Sequence, residues 1–506
     1  MFTFTGHPFV DVGIATIAAF VNRRNIEDIT DDDLAQVADY IEANYVRPPL
    51  RGHLTMAFTS NAWFIQDAFN PDKPDLSAEK RKERSATRAL WAARHIRQWQ
   101  QEAASGDQTC VFTGLPAAPQ ALSGKLAPGR IGRAQMPLLQ GDDSINFFTG
   151  GDPGLPVSPL ALLALQAMPL GCAKCGLGLL AVHSDSEALT LEFANRFFKQ
   201  NNAAILQAQS AGEEKLPSAH RSLKTLLIET LTDIEKQRLD TERRSGRAAS
   251  ITAYNFNNGK SAQLALYHLP LQISNFLRTA LTVTYRDTWQ QIVQRGWEQK
   301  VKRDRKGNIT ERIAPRINYL YEDLFTLPQN AASFVRRYFL RIPRRSQFDG
   351  DPRSTYSPIH ERQLIAWPLV EVFLQEVMLM EQERIEQIRT LGDKLAEYTR
   401  HQGGRRFFRS FFTEQKASNF MSLLTKTNID YVKFTKGQDT LFTLDSYAEV
   451  FMEGEELLRP DWRLARDLML IRMIEQLKDW IAQNPDAVPV EDVVQAEQGE
   501  TVDSIA

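Results

Sequence analysis

Cysteine is nearly absent from this chain: Cys110, Cys172 and Cys175 are the only three in 506 residues. That excludes a disulfide framework and favours a reducing compartment. Net charge is nearly absent too. Sixty Lys and Arg stand against 62 Asp and Glu, a formal −2. The chain as a whole therefore gives no argument for a polyanionic partner, and any nucleic-acid surface must come from local clustering. Long apolar runs are missing. The longest, near Leu160 to Leu170, contains Gln166 and Pro169 and is too short to span a bilayer. No basic stretch precedes an apolar one at the start, so a secretory signal is not expected, and a cytoplasmic protein without a membrane partner is. Catalytic signatures are lacking as well: no H-E-x-x-H, no G-x-S-x-G, no DEAD-type helicase pattern, no histidine-aspartate nuclease pair. The eight histidines are scattered singly. A non-enzyme that requires no cofactor is the expectation.

What is present is an ordinary globular composition, 43% hydrophobic and 24% charged, on a length that suits two to four domains. The pattern predicts an α+β protein. A mixed N-terminal domain with short strands carries a zinc-ribbon-like insertion, intact or degenerate, and a C-terminal helical bundle follows. The expected parts are 1–104 (N-terminal α+β), 105–215 (loop-rich insertion with a cysteine knuckle), 216–358 (hairpin plus basic helical region), 359–483 (helical bundle) and 484–506. The last carries six acidic residues and no Lys or Arg from Gln483 on, a composition that predicts disorder.

Within these parts, a strand is expected over Phe2 to Thr5, then a turn at Gly6-His7-Pro8 and a helix from near Asp11 with Val10, Ile14, Ile17 and Val21 on one face. Thr30 and Asp33 approximate a capping box for a helix reaching Val46. Leu54 to Phe69 reads as strand and turn, Ser77 to Gln101 as a charged helix, and Leu177 to His183 as a buried strand. Ser184 and Glu187 would cap a helix running to about Gln200, and Pro217 to Arg244 reads as a long charged helix. Asn257-Asn258-Gly259 supplies the turn of a hairpin between Ala249–Phe256 and Ala262–Leu269. Beyond Pro270 the chain reads as almost entirely helical.

Five groups of residues could carry function. Cys172-Ala-Lys-Cys175-Gly is a knuckle that suits tetrahedral zinc, and Cys110 and His183 could complete a Cys3His site. The alternative is a ribbon that has lost its ligands and survives on packing. Either role is structural, because no general base accompanies the cysteines. The segment from Arg286 to Arg353 holds fifteen Lys and Arg against eight Asp and Glu, a local +7. Aromatics are interleaved there, as cations and stacking rings are in nucleic-acid binders. Lys302, Arg303, Arg305, Lys306, Arg336, Arg337, Arg344 and Arg345 are its candidate contacts; a solvated helix face is the alternative. Lys125, Arg130 and Arg133 lie in a Gly-rich loop that either approaches phosphates or is simply flexible, and it does not match a Walker loop. Asn61 and Gln66 flank Trp63, where amides could read base edges or the ring could merely fill the core. Asn255 and Lys260 flank the hairpin tip, whose asparagines turn geometry alone explains. Arg405, Arg406 and Arg409 form one more candidate strand-binding patch.

The opening TGHPFVDVGIATIAAF resembles the N-terminus of the large subunit of type I-B CRISPR Cascade complexes, where a T-G-x-P-F-V-D-x-G-I-A pattern begins the chain. Looser likeness lies at Cys110 to Gly114, Ile145 to Gly151, Met168 to Gly176 and Tyr254 to Lys260. The resemblance implies a non-enzymatic scaffold that contacts the crRNA 5′ handle and neighbouring subunits. It also implies recognition of the protospacer-adjacent motif on duplex DNA, help with R-loop formation, and docking of a helicase-nuclease or, in transposon-linked relatives, a transposition factor. It further implies that 359–483 resembles the small subunit lining the displaced non-target strand, with Met378 and Met380 inside its first helix as internal starts. A stand-alone single-stranded nucleic-acid-binding protein and a zinc enzyme built on Cys172 and Cys175 are the competing readings.

Overall fold

Helix α1 (Pro8–Phe20) begins three residues before Asp11, and among the described residues no strand precedes it. Phe9 through Ala18 are all buried. The stretch is apolar all round rather than along one stripe, so the helix is enclosed in the core instead of lying on it. The computed structural model that shows this describes residues 2–101, 108–139, 141, 151–240, 247–259, 261–306, 308–346, 348–453 and 457–489.

Helix α2 (Asp31–Asn44) starts on the expected capping box. The Thr30 hydroxyl accepts from the Asp33 N–H at 3.3 Å, and the Asp33 carboxylate accepts from the Thr30 N–H at 2.9 Å. Helix α3 (Ala78–Ile96) is capped by Ser77. Between them the strand expected over Leu54–Phe69 is absent. A short helix (Leu50–Leu54), turns and a 3-10 turn (Asp67–Phe69) replace it, and they bury Phe58, Trp63 and Phe64 without any strand pairing. Helix α4 (Pro159–Ala167) crosses α1 so closely that a Cβ on Gly13 would strike the backbone of Ala164.

The sheet follows. Strands β1 (Ala173–Cys175) and β2 (Gly178–Ser184) precede helices α5 (Glu187–Ala211) and α6 (Leu223–Asp240), and β3 (Ile251–Asn257) and β4 (Gln263–Leu269) form the expected hairpin. The four strands are antiparallel in sequential order. Ala181, Tyr254 and Leu266 share one row, and His183, Thr252 and His268 the next. Helix α1 lies on that face, with Phe9 against Phe256 at 4.7 Å between ring centres. Ser184 does not cap α5. Ser186 is its N-cap, and the helix runs to a left-handed Gly212, well past Gln200.

The molecule folds as two compact units, residues 1–234 with 249–271, and 235–248 with 272–506. The expected insertion 105–215 is therefore no separate part. Its turns contribute Cys110, Leu122, Ile131 and Met136 to the same core as α1, since few apolar residues per turn cannot make a core of their own. Nor is 359–483 a free-standing bundle. Arg336 bonds Asp467 at 2.7 Å, and Phe334 stacks on Phe373 at 5.2 Å.

The second unit contains α7 (Leu271–Ala280), α8 (Arg286–Gln294), α9 (Trp367–Glu376), α10 (Gln382–Tyr398), α11 (Gly404–Thr413), α12 (Ala417–Phe434), α13 (Leu444–Phe451) and α14 (Trp462–Gln476). It is not all helix. Strands β5 (Val301–Arg303) and β6 (Ile309–Arg312) pair antiparallel in the middle of the basic region. Met378 and Met380 lie between α9 and α10 rather than inside a helix. Asn484 to Pro489 is described and ordered, with Ala487 and Val488 buried; residues 490–506 of the acidic tail lie outside the described residues. Among the described residues no helix is long and apolar enough to cross a membrane. The mixed helix-and-sheet architecture is α+β, with a helical C-terminal region.

Candidate nucleic-acid interface

The β5–β6 ribbon is the most exposed charged element of the basic region. Lys302, Arg303, Arg305, Lys306 and every described residue from Asn308 to Ala314 are exposed. Residues 300–316 carry seven Lys and Arg against Asp304 and Glu311, a net +5 in a chain of net −2. The Asp304 carboxylate is turned into the ribbon's own bend, accepting from the backbone of Lys306 at 2.8 Å and of Asn308 at 2.9 Å. Lys302 pairs with Glu311 at 2.6 Å, but both side chains are about 60% exposed, so water screens the pair. A register shift between Lys302 and Arg303 adds local twist.

The base of the ribbon is fixed. Glu298 is buried and holds Lys300 at 2.7 Å and the Arg316 N–H at 3.2 Å. Asn318, fully buried, donates to the Val293 carbonyl at 3.0 Å and caps the next helical turn. A rigid foot under an exposed two-stranded ribbon is a shape that enters a nucleic-acid groove, while its cations meet phosphates. Sequence reasoning places this stretch in a basic helical region and does not name Arg312 and Arg316 among its contacts, which the ribbon adds. The turn chemistry Asp304…Gly307-Asn308 was the signal for a hairpin.

Other predicted cations are held internally. Arg130 is 4% exposed; its guanidinium donates to the carbonyls of Pro153 and Gly154 at 3.1 and 3.0 Å and pairs with Asp152 at 3.1 Å. Arg336 is held by the buried Asp467, and Arg337 donates to the Ile342 carbonyl. Arg133 reaches the hairpin tip, donating to Asn258 Oδ1 at 3.1 Å and to the Gly259 carbonyl at 2.6 Å. Two motifs that looked unrelated in sequence, the Gly-rich loop and the Asn-Asn-Gly turn, are thus a single latch. Arg130, Arg133 and Arg336 are thus engaged by the fold's own acceptors.

The remaining candidates divide. Lys125, Arg344 and Arg345 are exposed. On α11, Phe407, Phe408, Phe411 and Phe412 are buried while Arg405, Arg406 and Arg409 are exposed, so the predicted patch exists as one face, with Arg405 also bonded to Asn484 at 2.6 Å. Asn61 and Gln66 are exposed, Gln66 donating to the Asn61 carbonyl at 2.9 Å, and Trp63 is in the core. Asn255 sits within the sheet, paired with Leu180 and Ala265, so it does not stand at the tip. Lys260 lies outside the described residues, as do Ile145 to Gly150.

Among the described residues the three cysteines and His183 lie in separate surroundings. Cys172 is enclosed, with its thiol donating to the Met168 carbonyl at 3.3 Å; burial, then Cys175, raise it above the ordinary thiol range. Cys175 ends β1, opposite Gly178, and burial pushes its thiol up to about 11. The Cys110 knuckle is a turn closed by the Gly114 N–H on the Cys110 carbonyl at 3.0 Å, with Thr113 bonded to Ser158 at 3.1 Å. His183 faces Asp11, with Nε2 at 3.0 Å. Among the described residues no three His, Cys, Asp or Glu side chains converge on a point that could hold a metal.

Comparison with protein-family models and with curated proteins gives no match.

Proposed function

We propose that this chain is a non-enzymatic nucleic-acid-binding protein and, from the resemblance of its opening residues, the large subunit of a type I-B CRISPR Cascade. The observation that carries the binding reading is the β5–β6 ribbon, where six exposed Lys and Arg face two exposed acids, a net +4, on a fixed base. In this role the ribbon and the arginine face of α11 hold phosphate backbones of the crRNA, the target duplex or the displaced strand. Base pairing by the guide supplies most of the sequence reading, and the protein reads the short adjacent motif. Its partners are then the crRNA, the other Cascade subunits and a helicase-nuclease or transposition factor, all inside the cytoplasm.

Reconstitution tests it. Guide RNA and partner subunits are assembled with and without this chain, and binding to a matched target duplex is measured. The reading requires target location to collapse when the chain is omitted. Equal binding by both assemblies would overturn it.

A further inference from the structure

The second unit contains a cavity of about 410 Å³ bordered by Arg337, Arg344, Asn330, Ser333, Phe334 and Asp323. That volume falls in the lower range of small-ligand clefts, about 300–1,000 Å³. Its donors outnumber its acceptors. The side chains of Arg344, Asn330 and Ser333 are exposed and have no partner among the described residues. Arg344 is nevertheless positioned, because its backbone N–H donates to the Arg353 carbonyl at 3.0 Å.

The one acid in the wall is engaged away from the cavity's other side chains. Asp323 accepts from the Tyr338 hydroxyl at 2.7 Å and pairs with Arg353 at 2.8 Å, a guanidinium that Asp351 shares, so the two arginines of the wall outnumber it. Arg337 comes from a π-helical turn, Val335–Phe339, and two residues beyond it Arg341 has φ +63°, an unusual angle for a side chain of that size. Backbone of this kind gathers at ligand sites. Phe334 also lines the cavity, one ring face stacked on Phe373.

We propose that this cavity binds the phosphomonoester of a mononucleotide-sized ligand, either a free nucleotide or the terminal residue of a strand. A terminal phosphate is a dianion with three acceptor oxygens. Guanidinium groups match it in charge and fork geometry, and the Asn330 amide and Ser333 hydroxyl supply neutral donors. The inference stands on the cavity alone and does not need the ribbon to bind anything.

The test is calorimetry on the full chain with adenosine 5′-monophosphate, adenosine, and a ten-nucleotide strand bearing a 5′ phosphate or a 5′ hydroxyl. Binding by the monophosphate but not adenosine, weakened at least tenfold in Arg344→Ala and in Ser333→Ala with Asn330→Ala, is the expected result. All three residues are exposed, so melting temperatures should match the unaltered chain. A free nucleotide as ligand predicts that the monophosphate binds as tightly as the phosphorylated strand; a strand end predicts that the strand binds more tightly. Equal response to phosphorylated and unphosphorylated probes, or affinity unchanged in the variants, overturns the site. Strands that bind regardless of their 5′ end would sink this inference and leave the proposed function standing.

Discussion

Asp11 has no solvent access, and its carboxylate accepts from the Thr5 N–H at 2.7 Å, the Thr5 hydroxyl at 2.8 Å and the Gly6 N–H at 2.9 Å, with His183 on the same group. The T-G-x-P-F-V-D opening is in these terms a turn stitched to the first turn of α1. Gly6 holds φ +80°, and Pro8 starts the helix where no N–H is needed. Asp11→Ala should cost about 1 to 2 kcal/mol, because it removes the acceptor that the part-buried Thr5 and Gly6 donors share, and a thermal or urea melt reads it. The sequence made Asp11 legible as a helix-start residue. It could not show His183, 172 positions away, as its partner, so that histidine was assigned to zinc instead. Two other histidines give a pH prediction. Burial lowers His53 and His95 from 6.5 to about 4. They stay neutral when folded and gain protons when unfolded, so stability must fall as pH drops from about 6.5 toward 4. By pH 5 the loss should approach about 2 kcal/mol for each, and His53→Gln should flatten the dependence in melts at pH 7.5 and 5.

At the scale of elements, legibility followed the strength of the local signal. The capping box of α2 and the Asn-Asn-Gly hairpin were readable because a few adjacent residues determine them. The ribbon at 301–312 was not, since its strands are short, charged and without apolar alternation; both faces are wet, so no core-facing period exists. Leu54–Phe69 failed the other way, its apolar residues being buried by turns. The loop–hairpin latch is a non-local element, and Asn258 is its centre, fully buried and bonded also to the Leu138 N–H at 3.3 Å and the Met56 carbonyl at 2.8 Å. Asn258→Ala should release 124–139, seen as faster hydrogen exchange there while α1 stays protected. On α11, replacing Arg405, Arg406 and Arg409 with alanine leaves the four buried phenylalanines in place. DNA binding should weaken and its salt dependence flatten, with little change in melting temperature.

Across the whole molecule, cations and anions nearly balance, so attraction to a polyanion has to come from where charge is placed rather than how much there is. The sequence showed the basic region but not which of its arginines the fold consumes. Arg336 and Arg353 sit in internal ion pairs, whereas 300–316 remains outside. That division depends on tertiary packing, which no linear charge count contains. The measurement that bears on it most directly is duplex-DNA affinity of the full chain across a salt series, with and without Lys302→Glu, Arg305→Glu and Lys306→Glu. Three lost phosphate contacts should weaken binding and reduce the slope of log affinity against log salt by about 2 to 3. An unchanged slope and affinity in the triple variant would contradict the account.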